Sequence, residues 1–218
     1  MTRIGVAIPC FVKHISHCLR LLDALEQQTR QPDEVVVSCS STQEFPRKEY
    51  SYPLTIVCTE KKQNASTNRN CAATRLTTDI ICFFDADDEM HPQRLEVIER
   101  SFHQTDILLH SFFEESEFHL SYPSIDMTTY PMIRNQLHQA PSGCITLDHI
   151  QRIHHGQVSV LRNIFAQVQF PEEPEYEVRE DCVFCFRVFG LPNIQSVYLP
   201  IPLSKYRPSW TCVSEKTS

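Results

Sequence analysis

The sequence predicts an α/β domain built on a largely parallel sheet, and three observations carry that prediction. Over the first 106 residues, short apolar runs alternate with stretches at helical spacing. The earliest apolar runs show no polar alternation, as strands covered on both faces by helices require. The chain has 218 residues, enough for one large domain that buries about 70–75% of its unfolded surface without metal or disulfides.

The elements follow in order. Arg3 to Pro9 reads as a buried strand, and Leu19, Leu21, Leu22 and Leu25 then recur at helical spacing up to the polar Glu26-Gln27-Gln28. Glu34 to Cys39 is a short β-branched strand, Ser40 to Tyr52 a polar loop, and Leu54 to Cys58 a third strand. Asn64 to Leu76 is a polar helix with Ala72 and Ala73 on one side, and Asp79 to Phe84 is a strand apolar on both faces. Pro92 to Phe102 is a helix with proline one step inside its start. Ile107 to Phe113 is a further strand. Tyr122 to Gly143 holds three prolines and reads as loop with a short helix over Met132 to Leu137. Glu180 to Phe189 has helical spacing. Val197 to Leu203 is strand-like, but Pro200 and Pro202 make it an edge or irregular segment. The tail from Ser209 is polar and is expected to fray.

Composition excludes several functions. Lys+Arg 20 against Asp+Glu 27 leaves a net charge of −7, against a phosphate-tracking nucleic-acid binder. Only four glycines are present, Gly5, Gly143, Gly156 and Gly190, so neither a dinucleotide fingerprint nor a Walker loop can be written. The ten cysteines fall mostly in apolar runs such as Ile80-Ile81-Cys82-Phe83-Phe84, where cysteine acts as a small hydrophobe. The first twelve residues contain Pro9 and no small-residue cleavage site, and no apolar run is long enough for a membrane span. A reduced, cytoplasmic setting is the expectation.

The strongest chemical signal is Asp85-Ala86-Asp87-Asp88-Glu89, directly after an apolar strand. Open α/β sheets bind ligands beyond the carboxyl ends of their strands. Carboxylates crowded there repel one another unless a cation sits among them, and oxygen ligands suit Mg²⁺ or Mn²⁺. Without further context the same triplet also reads as a solvated loop leading into a helix.

Segments spread along the chain resemble those of a known family in their order. Asp79 to Asp88, followed by Pro92 and Leu95, looks like the Asp-x-Asp segment of family 2 glycosyltransferases with the GT-A fold. Thr67-Asn68-Arg69-Asn70-Cys71-Ala72-Ala73 is similar to that family's Arg-Asn helix. Ile4 to Phe11, Leu25 to Thr29 and Pro32 to Val37 resemble its opening strand, helix and strand. Arg179-Glu180-Asp181 resembles its Glu-Asp catalytic motif, and Leu203 to Arg207 its closing Tyr-Arg segment.

The resemblance implies one GT-A-like domain over residues 1–218, a mostly parallel mixed sheet flanked by helices. Residues 1–106 would bind the nucleotide and 107–218 would shape the sugar and acceptor pockets. It implies an inverting, metal-assisted sugar transfer from a nucleotide-sugar donor, with UDP the expected nucleotide and Mn²⁺ or Mg²⁺ the cofactor. The acceptor would be a glycan, a lipid-linked group or a protein. Asp87, with Asp88 as the alternative, would hold the metal, and Asp85 would contact the ribose. Arg69 would reach the phosphates or base, and Pro9 and Phe11 would flank the pyrimidine. Asp181 would be the general base, with Glu180 orienting acceptor or loop.

The chain departs from the family pattern in two places. The second strand ends in Ser38-Cys39-Ser40-Ser41, where the family often has a base-reading Asp, leaving Ser38 and Ser40 to bond a base edge. Arg207 is followed by Pro208, not His, so Arg207 is the substitute for the family's metal or phosphate contact. Two other readings stand beside the enzyme: a nucleotide-sugar binding domain with little activity, and a Cys/His-rich zinc-binding interaction module suggested by Cys182-x-x-Cys185. A metal-dependent nucleotide hydrolase is a weaker third. His154-His155 precede Gly156-Gln157, where sugar or acceptor could bind. The length and the missing anchor permit one domain of a longer glycosylation protein.

Overall fold

A computed structural model describes residues 2–148 and 152–207. The expectation for the tail from Ser209 lies outside the described residues. The elements are β1 (Ile4–Phe11), α1 (Ile15–Glu26), β2 (Glu34–Ser40), β3 (Leu54–Thr59), α2 (Ala65–Ala73), β4 (Ile80–Phe83), β5 (Glu89–Met90) and α3 (Arg94–Ser101). They continue with β6 (Ile107–Phe113), β7 (Ile133–Arg134), β8 (His138–Gln139), β9 (Ile145–Thr146), β10 (Ser159–Leu161), α4 (Arg162–Phe165), α5 (Glu180–Phe189) and β11 (Ser196–Lys205).

The main sheet has the order β3-β2-β1-β4-β10-β6-β11-β5, with β7 added beside β11. β3, β2, β1 and β4 are mutually parallel, so the carboxyl ends of β1, β2 and β4 open at one edge. β10 runs antiparallel between β4 and β6, which makes the sheet mixed. The fold is α/β with a mostly parallel sheet and flanking helices.

Period-two alternation along β4 splits its side chains between two cores. Ile80 and Cys82 join α1 and α3 through Leu22, Leu25, Leu95 and Ile98. Ile81 and Phe83 face the other way, toward Ala72 and Ala73 of α2 and Phe184 and Val188 of α5. Burying each Leu, Ile, Val or Phe among them contributes about 1.5–3 kcal/mol, so both faces of the sheet are anchored. Gly5 has a specific reason to be glycine: a Cβ there would lie 2.5 Å from Thr78 Oγ1 and 2.8 Å from Leu76 Cδ2.

Beyond the short elements β5, β9 and α4, which the sequence alone does not predict, four segments differ from the expectation. Met132 to Leu137 is not a helix. Asn135 adopts a left-handed φ of 54°, Ile133 and Arg134 pair with β11, and His138 begins a hairpin strand. Pro92 lies before α3 rather than inside it, with Gln93 at the N-cap. β10 was not anticipated, its three residues being too short to carry a period. β11 is longer than expected and is flanked by β6 on one side and by β7 and β5 at opposite ends of the other. Its register against β6 shifts around Leu199, Pro202 and Lys205, because Pro200 and Pro202 have no N–H to give the ladder. The nine described cysteines are free thiols, and no described helix is long and apolar enough to cross a membrane.

Candidate active site

The acidic loop leaves the carboxyl end of β4 at the edge where β1 and β2 also end. Asp85 accepts a hydrogen bond from Arg69 Nη2 at 2.7 Å. Asp88 turns inward and is buried: Oδ1 accepts from the Arg207 backbone N–H at 2.7 Å, and Oδ2 accepts from Gln157 Nε2. Asp87 points elsewhere, with Oδ2 3.7 Å from His14 Nδ1. A cleft of about 240 Å³ opens beside Asp87, Asp88 and Arg207 and extends to His17, Arg20 and Tyr122.

Arg69 ties this loop to the second half of the chain. It sits on the buried side of α2, whose N-terminus is capped by Asn64 accepting from Thr67 N–H at 2.9 Å. Its Nη1 donates to Glu180 Oε1 at 2.8 Å, and its guanidinium lies 5.2 Å from the Phe170 ring centroid. Glu180 opens α5, and Phe184 one turn on stacks on Phe170 at 4.1 Å and packs edge-on against Phe83. An i,i+4 pair shares one helix face, so the contact that buries Phe184 also turns Glu180 toward Arg69.

Gly156 occupies the point where three of these side chains converge. A Cβ there would stand 3.1 Å from Asp85 Oδ2, 3.4 Å from Arg69 Nη2 and 3.5 Å from Asp181 Oδ2. Asp181 Oδ1 accepts from the Cys182 N–H at 2.7 Å, which fixes the carboxylate with Oδ2 toward Gly156.

Charge crowding shows in the titration behaviour. Burial pushes the Asp85 carboxyl up to about 6; Arg69 opposes the shift, while Asp87 and Glu180 add to it. Burial, then the charge of Asp85, raise Asp88 well above the ordinary carboxylate range. For Arg69 burial disfavours the charge, but Asp85, Glu180 and Asp181 outweigh it and hold the guanidinium's pKa above its usual value.

Among the described residues, Asp85, Asp88 and His154 form one group with a ligand atom from each within 4.8 Å of the others. Two carboxylates resisting ionisation beside one imidazole are a donor set that a divalent cation satisfies. Among the described residues the side-chain Oε1 of fully buried Gln157 finds no partner, a further sign of an incomplete polar site. The residues present therefore fit a divalent cation.

The other residues singled out from sequence are distributed unevenly. Pro9 is buried near the end of β1, while half-buried Phe11 ends that strand with its ring edge-on to His14 at 6.4 Å. Ser38 and Ser40 are fully buried under α2. The Ser38 hydroxyl donates to Asn68 Oδ1 at 3.0 Å, and Asn68 Nδ2 donates to Ser40 Oγ at 3.1 Å. Exposed Arg207 pairs with Glu89 and lies 5.0 Å from the Phe118 ring, with its backbone on Asp88. Cys182 is half-buried and Cys185 buried on α5.

Sequence reasoning missed the roles of His154, Gln157 and Arg94. Fully buried Arg94 donates from Nη2 to the Gln157 carbonyl at 2.8 Å and meets His110 Nε2 at 3.3 Å. His154 and Gln157 reach Asp88 because β10 pairs antiparallel with β4, and no local pattern announces that pairing.

A family model described as "Glycosyl transferase family 2" matches residues 6–165. An uncharacterized glycosyltransferase of Haemophilus influenzae is 34% identical over 80 residues, covering 36% of this chain and 27% of that protein. The crystal structure of S. aureus TarS 1-349 in complex with UDP superposes with a TM-score of 0.64 at 16% identity, covering 94% of this chain and 60% of that one. The complex of TarS 1-349 with UDP-GlcNAc gives 0.61 at 16% identity, covering 97% and 61%. The chain thus spans about a quarter of the curated relative and three-fifths of the TarS chains.

Proposed function

The chain belongs to glycosyl transferase family 2, and on that footing we propose that it is an inverting glycosyltransferase using a UDP-sugar donor and a divalent cation. The observation that carries this reading is the Asp85–Arg69–Glu180 chain. It draws the acidic loop after β4 and the start of α5 into one site. UDP is favoured because TarS, which has the same fold, was crystallised with UDP and with UDP-GlcNAc.

In this reading Asp88, Asp85 and His154 hold the cation, and Asp87 stands at the rim of the cleft beside the donor. A cation held there would supply charge neutralisation for a departing diphosphate. Phe11 and Pro9, at the end of β1, flank the base. Ser38 and Ser40 act through Asn68, fixing α2 and with it Arg69. Arg207 lies over the cleft where the phosphates would enter, and its backbone holds Asp88 in place.

Asp181 takes the proton of the acceptor hydroxyl as that oxygen attacks the anomeric carbon in line. A positioned base of this kind contributes about 10²–10⁴-fold. Glu180, fixed by Arg69, sets the start of α5 and so the direction of the Asp181 carboxylate. Gly156 leaves room for the sugar carbon between Asp85 and Asp181. The acceptor, a glycan, lipid-linked group or protein, enters from the side built by residues 107–207, in a single domain that the sequence permits to be part of a longer glycosylation protein.

The test is UDP release from UDP-sugars in the presence of Mn²⁺, measured with and without a panel of hydroxyl acceptors. Release that requires an acceptor supports the transferase. Equal release without one supports the nucleotide hydrolase, and donor binding without release supports a binding domain.

A further inference from the structure

We infer that His154 is the nitrogen ligand of the cation site and that Ser204 fixes its tautomer, giving the site a preference for transition-metal ions over Mg²⁺. The inference rests on the proposed cation site and adds the identity of its third ligand and the ion it selects. Asp85 and Asp88 come from the loop after β4, whereas His154 lies 66 residues beyond Asp88, on the segment entering β10.

Three features make the imidazole a built ligand. Its Nδ1 is 3.2 Å from Oγ of fully buried Ser204 on β11, a hydroxyl that can accept the Nδ1–H and so leave Nε2 its lone pair for a cation. Nε2 faces Asp88 Oδ2 at 3.9 Å, too far for a hydrogen bond and within reach of a shared cation. The ring is walled by Phe112 at 5.0 Å and Tyr206 at 5.2 Å, and its backbone N–H donates to the His110 carbonyl at 3.0 Å.

Each of the three ligands has an outer partner: Arg69 on Asp85, Gln157 and the Arg207 N–H on Asp88, and Ser204 on His154. Such second shells orient ligands and are a mark of real metal centres. The position after Tyr206-Arg207 is Pro208, which offers no imidazole. The structure supplies the imidazole from the entry to β10 instead. Mg²⁺ is satisfied by carboxylates and water, whereas an imidazole adds affinity for first-row transition ions.

The experiment uses the full chain with Mn²⁺ and UDP and reads pulsed-EPR nitrogen coupling with ¹⁵N-histidine labelling. Wild type is expected to show directly bound histidine nitrogen. His154→Gln is expected to lose that signal and roughly 10–100-fold in Mn²⁺ affinity, so that the preference for Mn²⁺ over Mg²⁺ falls. Ser204→Ala, a smaller change, keeps the nitrogen signal while weakening Mn²⁺ binding. His14→Gln removes the imidazole beside Asp87 and is expected to change neither. Bound Mn²⁺ without nitrogen coupling, or coupling that survives His154→Gln, overturns this inference and leaves the transferase reading standing. No Mn²⁺ binding to wild type overturns both.

Discussion

Arg69 and Glu180 lie 111 residues apart in the chain and meet at 2.8 Å, from α2 to the first turn of α5. Because the other arm of the same guanidinium holds Asp85, one buried cation fixes the spacing between the acidic loop and the proposed base. Its two carboxylate partners are largely buried as well, which makes the arrangement costly to break.

Arg69→Met is therefore expected to destabilise the fold by about 3–5 kcal/mol, because it strands Asp85 and Glu180 without their counter-charge. Urea unfolding checks this. The triple variant with Asp85→Asn and Glu180→Gln should recover part of the loss, since the orphaned charges are then removed.

Asp181→Asn should reduce turnover by about 10²–10⁴-fold while leaving UDP affinity unchanged. The amide keeps the acceptor contact with the Cys182 N–H but cannot take a proton. Steady-state rates paired with calorimetric UDP binding separate these effects.

Gly156→Ala introduces a methyl group 3.1 Å from Asp85 Oδ2 and 3.5 Å from Asp181 Oδ2. The crowding is confined to the site, so thermal stability should change little while turnover falls by about tenfold or more, in line with the cost of misplacing reacting groups. Melting temperature and initial rate, measured on the same preparation, check the split.

Acid should destabilise the fold through buried neutral histidines. Burial, then the nearby Arg94 charge, lower the His110 pKa to about 3, and burial lowers that of His91. His110 Nδ1–H donates to the Ser111 carbonyl at 2.7 Å, and Nε2 accepts from Arg94. The unfolded chain binds a proton on the His110 ring below about pH 6.5 and the folded chain does not until far lower pH, and His91 acts in the same direction. The stability contribution is thus complete above pH 6.5 and falls as pH drops toward 3, by up to about 1.4 kcal/mol per pH unit for His110. Urea midpoints at pH 7.5 and 5.5 should show the loss, and His110→Gln should flatten it.

Much of the fold was legible because its signals are local. The unbroken apolar runs of β1, β2 and β4 and the leucine spacing of α1 each declare an element by themselves. Asp85, Asp88, Arg69, Glu180 and Asp181, all named from sequence motifs, do converge in the structure. What was not legible depends on distant pairing. β10 has three residues and no period, yet its register against β4 delivers Gln157 and His154 to Asp88. Ser38 and Ser40 looked like base readers at a strand end, but their hydroxyls face Asn68 on α2. The strands after Pro131, β7 beside β11 and the β8–β9 hairpin, were hidden because two-residue strands have too little alternation to separate them from a helix turn or a loop.

The most direct measurement of the central claim is calorimetric titration of UDP, GDP and their sugar conjugates into the protein, with and without Mn²⁺, repeated on Asp88→Asn. The account predicts that UDP or one UDP-sugar binds only when Mn²⁺ is present, and that Asp88→Asn abolishes the metal dependence. Absence of nucleotide binding to the wild-type protein with Mn²⁺ present would contradict it.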